Sequence, residues 1–116
     1  MTKALGCHLS GLAAEDIAER HYCALGAVVL DRRARGEAGE VDLIVGFGAQ
    51  TVFVEVKARK TLELAAASVS PRQADRIVRS AQEWLAKQDR GEDMRFDIFL
   101  VDRSGTTQVI ENALFG

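Results

Sequence analysis

The chain has 116 residues, of which 47% are hydrophobic and 28% are charged, and this length suits one compact core and is too short for two. Its formal net charge of -2 argues against a protein that coats nucleic acid through bulk charge alone. No apolar run approaches the roughly 18 to 20 residues that cross a bilayer, and the amino terminus lacks a secretory pattern. We therefore expect a single cytoplasmic domain with no membrane partner.

The two cysteines, Cys7 and Cys23, lie far apart and outside any Cys-x-x-Cys pair, so we expect reduced thiols. With His8 and His21 they could supply four zinc ligands, but their spacing departs from the usual zinc motifs. Buried cysteines and ordinary histidines are the favoured interpretation.

The first predicted helix covers about residues 12–25, because apolar residues recur there at helical spacing and Gly26 follows as a stop. Glu15 lies at the margin of the apolar stripe, beside Tyr22, where a side chain can reach back towards a sheet. The residues expected to form the buried stripe are Ala14, Ile17, Ala18 and Leu25.

Three strands are predicted to follow this helix. The segment 27–32 is short and contains β-branched residues, and a loop with Arg and Gly follows it through Gly39. Residues 40–46 and 51–58 are separated by a Gly-containing connection, which is typical of an antiparallel hairpin.

The second half of the chain predicts a helix and two more strands. Residues 60–69 have no clear pattern and are expected to form a loop or a short helical turn. A serine cap, a proline at the first helical position and a capping-box glutamine open a helix that ends near residue 88; they are Ser70, Pro71 and Gln73.

Strands are predicted at residues 95–102 and 107–111, separated by a Ser-Gly turn. The strand, helix, strand order across residues 51–101 favours a parallel right-handed crossover. The predicted fold is α/β, with a mixed central sheet flanked by helices in the order α-β-β-β-α-β-β.

Three charged side chains of the predicted hairpin can share one face. Glu55 and Lys57 project to the same side, because successive strand side chains alternate between faces. Asp42 joins them if the hairpin pairs Gly46 with Thr51 and leaves residues 47–50 as a loop. A slip of one residue would turn Asp42 to the opposite face.

Two carboxylates and a lysine on an otherwise apolar hairpin predict a divalent-metal site. Burying such charges is costly unless they are paired or bind metal. Carboxylates suit Mg²⁺ or Mn²⁺, which can polarise a phosphodiester and activate a water molecule. Lys57 is placed to orient or deprotonate that water, or to offset charge in the transition state. The alternative is a buried salt bridge in a protein without catalysis.

The ordered set that carries these features is Glu15, Gly39-Glu40-Val41-Asp42, Glu55-Val56-Lys57 and Arg95-Phe96-Asp97. It resembles the YraN-like proteins, a bacterial group of the PD-(D/E)XK nuclease superfamily, over about residues 11–115. It is also similar to the pattern of the archaeal Holliday-junction resolvases. The resemblance implies a restriction-endonuclease-like core.

The resemblance also implies roles for individual residues. Asp42, Glu55 and the carbonyl of Val56 would bind Mg²⁺ or Mn²⁺. Lys57 would serve the attacking water, and Glu15 would complete the site directly or through water.

Further residues are weaker candidates. Glu40 shares the face of Asp42, although a solvated charge at a strand entry explains it equally well. Gln73 lies on the helix that follows the hairpin, but its capping box explains it better than a supporting role in the site. Four arginines are candidate phosphate contacts, with a merely exposed position as the alternative: Arg32, Arg33, Arg35 and Arg59.

The function predicted from the sequence is a Mg²⁺- or Mn²⁺-dependent endonuclease that hydrolyses phosphodiester bonds in branched or structured DNA, in repair or recombination. A homodimer is compatible with this function. The alternative is a non-catalytic module that binds nucleic acid or assembles a complex on the same fold. Cleavage of RNA or nucleotides also stays open, because no residue identifies a base-reading element.

Overall fold

Eight elements form the part of the chain that the computed structural model describes, residues 11–113. In chain order they are α1 (Gly11–Ala24), β1 (Val28–Arg35), β2 (Glu40–Phe47), β3 (Gln50–Ala58), α2 (Leu62–Ala67), α3 (Pro71–Ala86), β4 (Met94–Val101) and β5 (Thr107–Ile110). The predicted α/β class and element order are confirmed.

The short helix α2 occupies the segment that had no clear sequence pattern. The Thr61 side chain caps it by accepting a hydrogen bond from the Leu64 N–H at 3.1 Å. The six residues that follow the cap are Leu, Glu and Ala, all of which favour helices. The segment is therefore a capped helical turn rather than an open loop.

The five strands form one mixed sheet in the order β1-β2-β3-β4-β5. Strands β3 and β4 are parallel, and every other neighbouring pair is antiparallel. The predicted parallel connection is confirmed, with α2 and α3 between β3 and β4.

Helix α1 packs on one face of the sheet, and α2 and α3 pack on the other. The α1 side buries Leu43, Val45, Val52, Val54, Phe99 and Val101. The α3 side buries Val41, Ile44, Phe53 and Phe96, and α2 covers Ile98 and Leu100.

The buried stripe of α1 differs from the prediction at its C-terminal end. Tyr22, predicted at the margin, is 1% exposed and lies in the core, whereas Leu25, predicted in the core, is 61% exposed. The helix ends at Ala24, so Leu25 belongs to the turn completed by Gly26 and no longer follows the helical period.

The predicted burial of the cysteines is wrong for Cys23, which is an exposed free thiol. It follows Tyr22 on α1, and since Tyr22 faces the sheet, the next residue is turned towards solvent. Cys7 and His8 lie outside the described residues. No helix within residues 11–113 is long and apolar enough to cross a membrane.

Strand β1 is longer than predicted and is irregular at two points. Leu30 is an extra residue, because the pairing with β2 shifts between Val29 and Asp31. Arg33 has a φ of 48°, a left-handed conformation that non-glycine residues adopt rarely. Both irregularities twist this edge strand and change which side chains face α1.

The tip of the β1–β2 hairpin packs closely against α3. Gly39 has a φ of 146°, and a Cβ at this position would lie 2.6 Å from Cδ of Arg76. Glu83 accepts hydrogen bonds from the backbone N–H groups of Glu37 and Ala38 at 2.9 and 3.3 Å. Helix α3 therefore holds the end of the hairpin from which β2 enters the sheet.

The β2–β3 hairpin has the predicted register, since Gly46 pairs with Thr51. Its loop is shorter than the predicted four residues, because Phe47 also pairs with Gln50. Arg90 holds this end of the hairpin, with Nε 2.8 Å from Thr51 Oγ1.

Asp97 joins α1, β4 and the C-terminal segment. Its carboxylate is fully buried and accepts hydrogen bonds from the Tyr22 hydroxyl at 2.7 Å, from two Arg95 nitrogens at 2.9 and 2.8 Å, and from the Asn112 N–H at 3.0 Å. Burial, and then the bond to Asp97, raises the pKa of Tyr22 far above its usual range. The Arg95-Phe96-Asp97 segment therefore acts in the structural core.

Candidate metal centre

The candidate site lies where β2 and β3 separate. Their ladder ends at the Leu43–Val54 pair, one position before Asp42 and Glu55 would pair in the same register. Instead, Oδ2 of Asp42 accepts a hydrogen bond from the backbone N–H of Val56 at 2.8 Å. The Asp42 carboxylate therefore lies in the gap between the two strands.

An open cavity of about 250 Å³ occupies this gap. It is bounded by the ends of β2 and β3 and by the first turns of α1. Its lining residues are Ala14, Glu15, Asp42, Glu55, Val56, Lys57, Ala58 and Arg59.

Glu55 and Lys57 form a buried ion pair at the cavity. Their side chains are 7% and 10% exposed, and Lys57 Nζ lies 3.2 Å from Oε2 of Glu55. The other carboxylate oxygen, Oε1, is buried and has no hydrogen-bond partner in the described part of the chain. Such an unsatisfied charged oxygen is costly unless another ligand binds it.

The carboxylates of Asp42 and Glu55 repel each other. Burial, followed by the negative charge of Glu55, raises the pKa of Asp42 to about 6. The Val56 N–H and the Lys57 ammonium act in the other direction. The excess negative charge is the electrostatic condition that favours a bound cation.

Glu15 of α1 lines the same cavity but is held by a protein cation. Its Oε1 lies 3.0 Å from Nε of Arg33. Burial raises the pKa of Glu15, Arg33 opposes this, and the charges of Asp42 and Glu40 raise it further. Glu15 thus feels the charge of Asp42 while its own charge is balanced by Arg33.

Asp42 and Glu55 together fit a hard divalent cation. They supply two carboxylates, one of which has an unbonded buried oxygen, and oxygen ligands are those that Mg²⁺ and Mn²⁺ prefer. Within residues 11–113 no three His, Cys, Asp or Glu side chains are arranged to hold a metal ion. The structure therefore brings Asp42, Glu55 and Lys57 together and leaves Glu15 on Arg33.

Comparison with known proteins assigns the family. A family model described as "Uncharacterised protein family UPF0102" matches residues 14–101. This chain belongs to the UPF0102 family. It is 44% identical over 107 residues to a UPF0102 protein of Roseobacter denitrificans, covering 90% of this chain and 83% of that protein. A UPF0102 protein of Cereibacter sphaeroides is 45% identical over 108 residues, with 91% and 92% covered.

UPF0102 is the YraN-like nuclease-fold group, so the resemblance predicted from the sequence is confirmed. A UPF0102 protein of Frankia casuarinae is also 44% identical over 102 residues, with 85% of this chain and 86% of that protein covered. The segment that the UPF0102 model matches contains Glu15, Asp42, Glu55 and Lys57.

The weaker site candidates lie at the margin of the cavity or away from it. Val56 lines the cavity, and its carbonyl as a metal ligand stays a prediction. Oε2 of Glu40 lies 3.8 Å from Nη2 of Arg35. Gln73 forms the predicted capping box with Ser70, with bonds of 3.0 and 3.1 Å, and does not line the cavity.

The four candidate arginines differ in what they contact. Arg32 binds Glu19 through two bonds of 2.8 Å, and Arg33 binds Glu15. These neighbours both reach α1 because the left-handed backbone at Arg33 breaks the alternation of the strand. Arg59 lines the cavity itself.

Sequence reasoning missed the small residues of the site. Ala14 and Ala58 line the cavity, and short side chains at these positions leave its volume open. Their sequence positions next to Glu15 and Lys57 are the signal that could have identified them.

Proposed function

We propose that this protein is a Mg²⁺- or Mn²⁺-dependent nuclease that hydrolyses phosphodiester bonds in branched or structured DNA. The observation that carries the proposal is the pair of opposed carboxylates, Asp42 and Glu55, beside the buried ammonium of Lys57 and an unbonded carboxylate oxygen.

Charge balance favours this function over a purely structural ion pair. Asp42, Glu55 and Lys57 together carry one net negative charge, and Glu15 and Arg33 neutralise each other. The remaining charge of the lining is Arg59, which is exposed. A divalent cation would change this balance to one net positive charge, which suits a bound phosphate. A salt bridge alone would leave Asp42 uncompensated in a largely buried position.

Each residue of the site has a separate role in the proposed reaction. Asp42 and Glu55 would hold the cation, which when bound supplies polarisation of the scissile phosphate and a lower pKa for a water molecule. Lys57 presents its ammonium at the same cavity, where it can orient a water or offset negative charge on the phosphate. Support for branched DNA comes from the similarity to the archaeal Holliday-junction resolvases, and a cytoplasmic location follows from that substrate.

The test is cleavage of labelled linear, flapped and four-way DNA in Mg²⁺ or Mn²⁺. Wild type should cleave at least one substrate, and Asp42→Asn and Lys57→Ala should each be slower by about 100-fold or more. The matched controls are Asp75→Asn and Lys87→Ala, which change an exposed acid on α3 and an exposed base at its C-cap and should retain activity. Binding of DNA without cleavage by wild type would instead support the non-catalytic alternative.

A further inference from the structure

Three exposed cations meet just beyond the C-terminal ends of β3 and β4. Arg59 and Lys60 follow β3, and Arg103 follows β4. The two segments stay side by side, because the Arg59 N–H donates to the Val101 carbonyl at 3.1 Å and the Arg103 N–H donates to the Lys60 carbonyl at 3.4 Å. We call these three residues the basic patch.

The basic patch adjoins the candidate metal centre. Arg59 lines the cavity that contains Asp42 and Glu55, and Lys60 and Arg103 extend from it along the end of the sheet. A ligand seated at the two carboxylates could therefore contact the patch with its next charged groups.

The charges of the patch are not used inside the protein. Within residues 11–113, none of the three side chains forms an ion pair, and the Arg59 guanidinium donates only to the carbonyl of Ala58. Asp102, the acid next to Arg103, already accepts two backbone N–H groups of its turn at 2.9 Å. The patch thus presents free donors to solvent.

The arginines of β1 are in a different state. Arg32 and Arg33 are bound to Glu19 and Glu15 at 2.8 and 3.0 Å, and Arg35 lies 3.8 Å from Glu40. A phosphate that recruited them would have to compete with carboxylates already in place. The available cationic surface near the site is therefore at the end of β3 and β4.

We propose that the basic patch of Arg59, Lys60 and Arg103 binds the phosphate backbone of the nucleic-acid strand that enters the cavity. This inference rests on the proposed nuclease function and identifies the surface that positions its substrate. Cations on two adjacent chain segments can contact successive phosphates, which fix the position of a strand without reading its sequence. An oxyanion polymer fits both the patch and a cation held by the neighbouring carboxylates.

The experiment measures binding of a labelled four-way DNA by fluorescence anisotropy, with EDTA present to prevent cleavage, at several salt concentrations. The variant Arg59→Ala/Lys60→Ala/Arg103→Ala should bind about tenfold or more weakly than wild type. Its plot of log Kd against log salt should be shallower by about 2 to 3, since each lost phosphate contact removes about 0.7 to 0.9.

The matched control is Arg20→Ala/Arg72→Ala, which removes two exposed cations that form no ion pair in the described residues and do not line the cavity. This control should bind within twofold of wild type. An equal loss of affinity per removed charge, three in the patch variant and two in the control, would mean that only total charge matters and would overturn the patch. Wild-type affinity and salt slope in the patch variant would overturn it as well.

The outcome separates this inference from the proposed function. If wild type cleaves DNA and the patch variant has the same KM and kcat, the proposed nuclease function is supported and the patch is refuted. A wild type that binds DNA through the patch but never cleaves would refute the nuclease and support the patch. Polyglutamate of similar charge should not bind the wild-type patch. If polyglutamate did bind, and the patch variant weakened its binding as much as that of DNA, the partner of the patch would be an acidic protein instead.

Discussion

Asp42→Asn should make the metal-free protein more stable at alkaline pH. In the folded chain, burial and the charge of Glu55 raise the pKa of Asp42 from 3.8 to about 6, which corresponds to about 3 kcal/mol. Well below pH 3.8 the carboxyl group is protonated in both the folded and unfolded chains. Between pH 3.8 and 6 the unfolded chain loses this proton while the folded chain retains it, so the free energy of unfolding falls across this range and levels off above it.

About 2 kcal/mol of this loss lies between pH 4 and pH 8. Asparagine carries no charge, and its oxygen can still accept the Val56 N–H that Asp42 binds. In urea unfolding with EDTA, the free energy of unfolding of Asp42→Asn minus that of wild type should therefore be about 2 kcal/mol larger at pH 8 than at pH 4. The exposed control Asp75→Asn should show a much smaller dependence.

Mn²⁺ should reverse the advantage of the variant at pH 8. A cation at 100 times its Kd stabilises the folded chain by about 2.7 kcal/mol, and only the wild type keeps both carboxylates. A stability difference between wild type and Asp42→Asn that is the same at pH 4 and pH 8 would refute the claim that burial and Glu55 destabilise the ionised form of Asp42. Equal stabilisation of both proteins by Mn²⁺ would refute the shared metal site.

Two further substitutions test roles assigned outside the cavity. Tyr22→Phe should lower the free energy of unfolding by about 2 kcal/mol in urea denaturation, because it removes one donor from the buried Asp97 carboxylate; a change below about 0.5 kcal/mol would contradict that role. Gln73→Ala should cost about 1 kcal/mol through loss of half of the capping box and leave DNA cleavage at the wild-type rate. Loss of cleavage in folded Gln73→Ala would restore its supporting role in the site.

Much of the fold follows from local sequence signals. The alternation of β2 and β3 fixed which residues could pair, and the pairing of Gly46 with Thr51 is confirmed. The cap at Ser70 correctly marked the start of α3. What local pattern could not supply was the end of α1, where a one-residue difference moved Leu25 from the core to solvent.

The site was predictable to the extent that it depends on strand geometry. Alternation alone placed Glu55 with Lys57, and the hairpin register brought Asp42 near them. The gap that makes a cavity was not predictable, because it arises where the β2–β3 ladder stops and Asp42 bonds to the Val56 backbone. A period-two pattern describes regular pairing and carries no information on where pairing ends.

The availability of a cation is a tertiary property, and the arginines show why sequence charge could not reveal it. Arg32 and Arg33 occur in a basic run, yet a bulge and one left-handed residue direct both of them to acids on α1. Lys60 and Arg103 lie 43 residues apart in the chain and become neighbours only through the parallel pairing of β3 with β4. A count of basic residues favours β1, whereas the ion pairs favour the end of β3 and β4. Phosphate binding should therefore follow the unpaired cations rather than the densest basic sequence.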